Sequence, residues 1–337
     1  MYHGRFKGTH YEVGYKWGEN LLNHGKKLDY CPTFEMTEEK YKFADECLKE
    51  YERYFPEVLE EIRGIAEGNK IPVETLQTIL FCMYCFEFDN KCTCFALSTN
   101  EEIIFARNSD FLVSLEKLYM NCIYHLKDSY SFNGNTTAYV EMEDGVNEHG
   151  LAVGLTFVYP KIRKPGLGAG MLVRCILEKC KTTEDALDKL HLLPIASTHT
   201  ITLADKNGEI AVVECNPENI VVIKPELGQQ FVATANNFNS EKMKNFRNPD
   251  IDDWRSDERY HTAYQSLRNS SEKYSVDFAK SILSGKYGFM CQYDRKKNAD
   301  TVWSVVYDLK RKQIWRVEGN PLRKKFKEDT RMKINLS

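Results

Sequence analysis

The sequence predicts an α+β protein in which a helical N-terminal part, residues 1–91, precedes a longer part, residues 92–337, of paired strands with helices between them. Between Tyr11 and Phe88 apolar residues recur at helical spacing, whereas from Cys92 onward short β-prone runs alternate with turn-forming clusters. The scale fits one large domain or two coupled ones: 337 residues, 42% hydrophobic and 28% charged, bury a full core.

In the first part, Val13, Trp17, Leu21 and Leu22 place a helix over Tyr11–Gly25. Thr37 is an N-cap, with Glu39 and Lys40 leading a helix through Tyr51. Pro56 starts the next, whose Val58, Ile62 and Ile65 share one face, and Pro72–Phe88 gives a more apolar helix.

From Cys92, Phe95 and Leu97 and then Ile103, Ile104 and Phe105 form two strands about the polar turn Thr99-Asn100-Glu101. Strands are expected at 118–126 and 137–141, and a turn feeding a strand across 144–157. Helices follow at 171–180 and 183–193, the second capped by Thr182 or Thr183. A hairpin joins His199–Leu203 to Ile210–Glu214, its Asn207-Gly208 supplying positive φ values. Phe231–Ala235 is a strand running into Asn236-Asn237-Phe238; surface helices at 252–267 and 275–283 lead to paired strands at 302–308 and 313–317. There is no internal repeat.

The formal charge of −3 and pI near 6.3 argue against nucleic acid or an anionic membrane as partner. The N-terminus has no apolar leader and no run reaches transmembrane length, so a cytoplasmic protein is expected. Eleven cysteines without framework spacing fit reduced thiols. Cys82 and Cys85 have redox spacing, but their apolar helical context reads as packing. The eight histidines form no zinc-type spacing, so no metal is expected. The glycine-rich loop 165–170 precedes a helix, as phosphate loops do, yet lacks a lysine or dinucleotide pattern and reads as a substrate gate. No cofactor is expected, and a homo-oligomer is left open.

The chemistry concentrates in the hairpin. Antiparallel pairing returns Arg107, Asn108 and Asp110 to the start of the first strand, where Cys92 lies. A free thiol has a pKa of about 8.5, and a neighbouring guanidinium favours the thiolate. Cys94 shares a strand face with Cys92, and the pleat alone does not choose between them.

Cys92-Thr93 at a strand start, followed by Arg107-Asn108-x-Asp110-Phe111, resembles the N-terminal-nucleophile (Ntn) hydrolases of the choloylglycine hydrolase type. These include bile salt hydrolases, penicillin V acylases, acid ceramidase and the acyl-coenzyme A:6-aminopenicillanic acid acyltransferase. Similar stretches lie at 8–15, 56–67, 144–155 and 233–238, and in Val305-Val306-Tyr307-Asp308 with Gly319-Asn320-Pro321. The resemblance implies a four-layer αββα sandwich and selects Cys92 over Cys94 as nucleophile. It implies a cut between Lys91 and Cys92 that leaves residues 1–91 as a small subunit, with the freed α-amine, of ordinary pKa about 7.7–8.0, as base. Arg107 would tune and orient the thiol, Asp110 would hold the new ammonium, and Asn236 with the Thr156 region would bind the oxyanion. Two positions depart from the pattern: Thr156 stands where members often carry Asn, and their late active-site Arg falls on Asn298-Ala299-Asp300, leaving Arg295 as nearest substitute. The implied substrate is a small-molecule linear amide of the penicillin V, conjugated bile salt or N-acyl amino acid type. Hydrolysis stands ahead of acyl transfer to an amine, and a non-catalytic amphiphile-binding relative is the reading from another class.

Overall fold

The computed structural model describes residues 1–31, 35–86, 90–248, 251, 253–270 and 274–332. In chain order its elements are β1 (Tyr2–Gly8), α1 (His10–Asn23), α2 (Glu38–Tyr54), α3 (Pro56–Asn69), α4 (Val73–Cys82), β2 (Lys91–Ser98), β3 (Ile103–Leu112), β4 (Met120–Leu126), β5 (Phe132–Thr136), β6 (Asp144–Asn147) and β7 (Leu151–Phe157). Then come α5 (Ala169–Lys179), α6 (Thr183–Leu192), β8 (His199–Asp205), β9 (Ile210–Asn216), β10 (Asn219–Ile223), β11 (Phe231–Thr234), α7 (Ser256–Arg268), α8 (Val276–Leu283), β12 (Ala299–Asp308), β13 (Gln313–Val317) and β14 (Lys327–Glu328).

The strands form two sheets, ordered β1-β4-β5-β6-β7-β8-β9-β10 and β11-β2-β3-β12-β13-β14. The pleat sorts their residues. On β2, Cys94 and Ala96 join the core that includes Val153, Leu155 and Ile201 of the larger sheet, while Phe95 and Leu97 pack with Leu267, Phe278 and Ile282 of α7 and α8. Helices α5 and α6 lie against β6, β7 and β8, which completes the αββα order.

The N-terminal segment is fastened to this sandwich in two ways. Strand β1 pairs in parallel with β4, Tyr2 opposite Met120 through Gly8 opposite Leu126. The polar alternation of Tyr-His-Gly-Arg-Phe-Lys-Gly gives no β signal, so this edge strand was not anticipated ahead of the expected helices. Behind it, Arg174 of α5 donates to Glu61 of α3 at 2.7 Å and to Glu178, while His10 of α1 bonds Glu178 at 3.0 Å and the Tyr124 hydroxyl donates to Glu61 at 2.9 Å. All five groups are buried. Within the segment, α1 and α3 cross with their backbones in contact. A Cβ on Gly14 or Gly18 would lie 2.2 Å from the Glu61 or Ile65 carbonyl oxygen, and Gly64 and Gly68 meet α1 in the same way.

The caps at Thr37 and Thr182 are as expected, while Ser275 caps α8 and Thr9 adds a capping box with Glu12. Other elements differ from expectation. The strand expected at 137–141 is β5, five residues earlier, in Phe-Asn-Gly-Asn-Thr. Its asparagines are favoured there by partners: Asn135 donates to Asp144 at 2.5 Å, and Asn133 accepts from Asn121 at 2.6 Å. Strand β10 was not anticipated. Helix α4 stops at Cys82, so Cys85 lies beyond it; the rest of the expected helix, at Glu87 and Phe88, and residue Asp252 lie outside the described residues. In the β8–β9 turn only Gly208 takes a positive φ, +93°. All eleven cysteines are buried and unbridged. Among the described residues no helix is long and apolar enough to cross a membrane.

Candidate active site

Strand β2 places Cys92 opposite Ser109 of β3 and Cys94 opposite Arg107, with Lys91 opposite Asp110. Successive turns of the pleat then bring the Arg107 guanidinium back over Cys92, where Nη2 donates to Sγ at 2.7 Å. The thiol itself donates to Asn90 Oδ1 at 2.9 Å. Arg107 is held in place by its other donations, to the Leu155 carbonyl at 3.1 Å, Asp144 at 2.9 Å and Glu143 at 3.2 Å. Burial pushes the Cys92 thiol well above its ordinary value, and Arg107 pulls the other way. A thiol raised in this way is protonated at neutral pH and would need a base to act as a nucleophile.

The peptide around Cys92 is gripped as firmly as its side chain. Its N–H donates to Asn236 Oδ1 at 2.8 Å, and its carbonyl accepts from Arg259 Nη1 at 2.6 Å. Arg259 also donates to Thr93 Oγ1 and Asn236 Oδ1, both at 2.9 Å, and its Nη1 is 3.7 Å from Asp110 Oδ2. Asn236 in turn donates to the Phe157 carbonyl at 2.7 Å. Asp110 accepts from Thr301 at 2.6 Å and Tyr293 at 3.0 Å; burial pushes its carboxyl up to about 6, against the pull of Arg259.

Four of the expected residues, Cys92, Arg107, Asp110 and Asn236, thus gather around the Lys91–Cys92 peptide. Two do not join them. The Thr156 hydroxyl donates to the Ala235 carbonyl at 2.5 Å and meets Thr200 Oγ1 at 2.6 Å, so its proton braces the chain entering Asn236 and is not presented to Cys92. Arg295 lies at the surface, ion-paired to Glu116 at 3.0 Å and Asp300 at 2.6 Å. The second arginine of the site is Arg259, from α7. Its signal was its position: Arg259, Ala263, Ser266 and Leu267 form the buried stripe of that helix, and a charge on such a stripe needs buried partners. Glu143 was also missed; it accepts from Asn90 at 2.9 Å, Ser109 at 3.0 Å and Thr137 at 2.6 Å, and so fixes the groups behind the thiol.

Residues 97–323 match the sequence pattern of the acyl-coenzyme A:6-aminopenicillanic acid acyl-transferase family. The chain belongs to that family. Its fold is that of the Ntn hydrolases. A solved structure of the mutant conjugated bile acid hydrolase from Clostridium perfringens resembles it at a TM-score of 0.53, with 14% identity over 72% of this chain and 94% of that one. Penicillin V acylase from Agrobacterium tumefaciens is similar over 73% of this chain and 88% of its own, at 18% identity and a TM-score of 0.49. No curated protein sequence matches significantly. Membership supports an enzyme.

Proposed function

We propose that the protein is a self-processing cysteine hydrolase of linear amides, with Cys92 as nucleophile. The observation that carries this is the convergence of Arg107, Asn236 and Arg259 on the thiol, N–H and carbonyl of one residue that ends a buried peptide bond. In maturation the Cys92 sulfur bonds to the Lys91 carbonyl carbon and the Lys91–Cys92 bond breaks. Water then cleaves the thioester, giving chains 1–91 and 92–337. The first stays bound through β1 and the Arg174 cluster. In turnover the freed α-amine takes the thiol proton, the sulfur attacks the substrate carbonyl, and the leaving amine receives that proton. Arg107 favours the thiolate, Asp110 faces the new ammonium from the register position opposite Lys91, and Asn236 supplies a donor for the oxyanion once Phe157 releases it. Arg259 holds Asn236 and the Cys92 carbonyl through both steps.

A second reading, acyl transfer to an amine acceptor, is favoured by the family whose pattern the chain matches. It shares every step up to the acyl-enzyme. The test is denaturing mass spectrometry of the purified protein and of Cys92→Ala, with turnover of penicillin V, conjugated bile salts and N-acyl amino acids measured with and without 6-aminopenicillanic acid as acceptor. A break between Lys91 and Cys92 and turnover that both vanish in Cys92→Ala are expected, whereas turnover surviving in that variant overturns the assignment.

A further inference from the structure

Lys91 is the residue whose carbonyl Cys92 would attack, and its side chain is fully buried. Its ammonium sits 4.6 Å from the centre of the Tyr159 ring and 5.6 Å from that of Trp254, and it donates to the Tyr159 hydroxyl at 3.4 Å. Aromatic faces at such distances attract a cation through the ring quadrupole, most strongly when water is excluded. Trp254 is held in this position with care. Both it and Arg255 take left-handed backbone, with φ of 53° and 61°, which residues bearing a Cβ rarely adopt. Arg259 fixes the segment by donating to the Trp254 carbonyl at 3.0 Å and the Asp253 carbonyl at 2.8 Å, and the Tyr293 ring backs the indole at 5.6 Å. One guanidinium therefore positions both the cage and the carbonyl of Cys92.

The chemistry links the cage to turnover, on the reading that Cys92 is the nucleophile. The thioester formed in self-cleavage carries Lys91 as its acyl group; the thioester formed in turnover carries the acyl group of the substrate on the same sulfur. Whatever extends from the second carbonyl enters the space that Lys91 filled. We propose that the Tyr159–Trp254 cage is the acyl pocket of the mature enzyme, vacated by Lys91 on processing, and that it selects amides whose acyl group ends in a cationic amine. The simplest such group is 6-aminohexanoyl, which reproduces the lysine side chain from carbonyl carbon to ammonium. As its C–S bond forms, its C–N bond breaks and the thiol proton leaves with the amine. Water then gives 6-aminohexanoate and returns the proton to the thiol.

The test compares coumarin amides of 6-aminohexanoate, of neutral isosteric heptanoate and of adipate, turned over by the processed enzyme. The expected kcat/KM for 6-aminohexanoyl is at least tenfold above heptanoyl and higher still above adipoyl. That preference falls toward unity in Tyr159→Leu and Trp254→Leu, and is kept in Tyr159→Phe, which retains a ring. If the heptanoyl or adipoyl amide is cleaved as well as the cationic one, and Cys92→Ala abolishes it, the cage is not the acyl pocket while the nucleophile stands. If the chain is uncut at Lys91 and no amide is turned over, both readings fall.

Discussion

Replacing Arg259 by lysine keeps the buried positive charge and removes the fork. Arg259 makes five donations, to the carbonyls of Cys92, Asp253 and Trp254, to Thr93 Oγ1 and to Asn236 Oδ1. A lysine ammonium has three N–H groups on a single atom, so at least two of those acceptors lose their partner. Hydrogen bonds to a charged group contribute about 1.5–3 kcal/mol each, which sets a destabilisation of about 3 kcal/mol or more. The kinetic consequence is larger. With the Cys92 carbonyl and Asn236 no longer held by one rigid group, the thiol and the Lys91 carbonyl lose their alignment, and a displacement near 1 Å costs about 100-fold in rate. The assay is the first-order appearance of the 92–337 chain after refolding, followed by denaturing mass spectrometry, beside urea unfolding of the uncut protein. Arg259→Lys processing at the wild-type rate, with an unchanged urea midpoint, would refute the positioning argument. Arg259→Met should be worse again, because it leaves the Asp110 carboxyl, already pushed up to about 6 by burial, without its nearest cation.

Arg295→Ala should leave amide turnover unchanged and shift stability by no more than about 1 kcal/mol, since its pair with Glu116 is exposed and the buried Asp300 keeps Arg323 and Asn320 as partners; a loss of turnover beyond a few-fold would restore Arg295 to the site. Arg174→Met should cost about 3–5 kcal/mol in urea unfolding, because Glu61 and Glu178 stay buried without their cation. Burial pushes Glu178 up, yet Arg174 and His10 outweigh it and hold the carboxyl at about 2. Its folded value lies below the unfolded one of about 4.3, so its contribution is complete above that pH and is lost as the pH falls toward 2. The urea midpoint should drop across that window, and more shallowly in Arg174→Met. Gly18→Ala should destabilise by about 1–3 kcal/mol despite the roughly 1 kcal/mol that helix propensity favours, because the new Cβ would lie 2.2 Å from the Ile65 carbonyl oxygen; a gain in thermal midpoint would contradict that crossing.

How far the sequence discloses this molecule depends on whether a residue's role is local. The Cys92–Asp110 hairpin was legible because both strands and their turn are contiguous, and the pairing of Lys91 with Asp110 follows from the turn alone. Helix caps at Thr37 and Thr182 were legible for the same reason. Strands β1 and β5 were not, because neither has a β-prone composition. One is secured by pairing with β4 and the other by a side-chain network through Asn121 and Asp144 on its neighbouring strands and Tyr307 from the far end of the chain. The helical N-terminal part was likewise read correctly as helices and incompletely as a unit, since its first strand belongs to the larger sheet.

The two site residues read otherwise show the same distinction at the level of single side chains. Arg295 was chosen by proximity in sequence to the last hairpin, yet it stands 43% exposed, paired to the exposed Glu116 and to the buried Asp300. Arg259 sits 167 residues from Cys92 in a run of charged residues that looks solvated, and only folding α7 onto β2 and β11 turns that charge inward. Burial of a guanidinium is costly unless every donor is used, and Arg259 uses its donors on its own turn at Asp253–Trp254 and on the two segments that the proposed acylation needs aligned, the Cys92 peptide and the Asn236 amide. The same requirement ties Trp254 to the site, because the carbonyl that accepts from Arg259 Nε belongs to the residue whose ring covers Lys91. A substitution in the Trp254–Arg255 turn should therefore alter processing and acyl preference together, whereas a loop that merely bordered the pocket would alter preference alone.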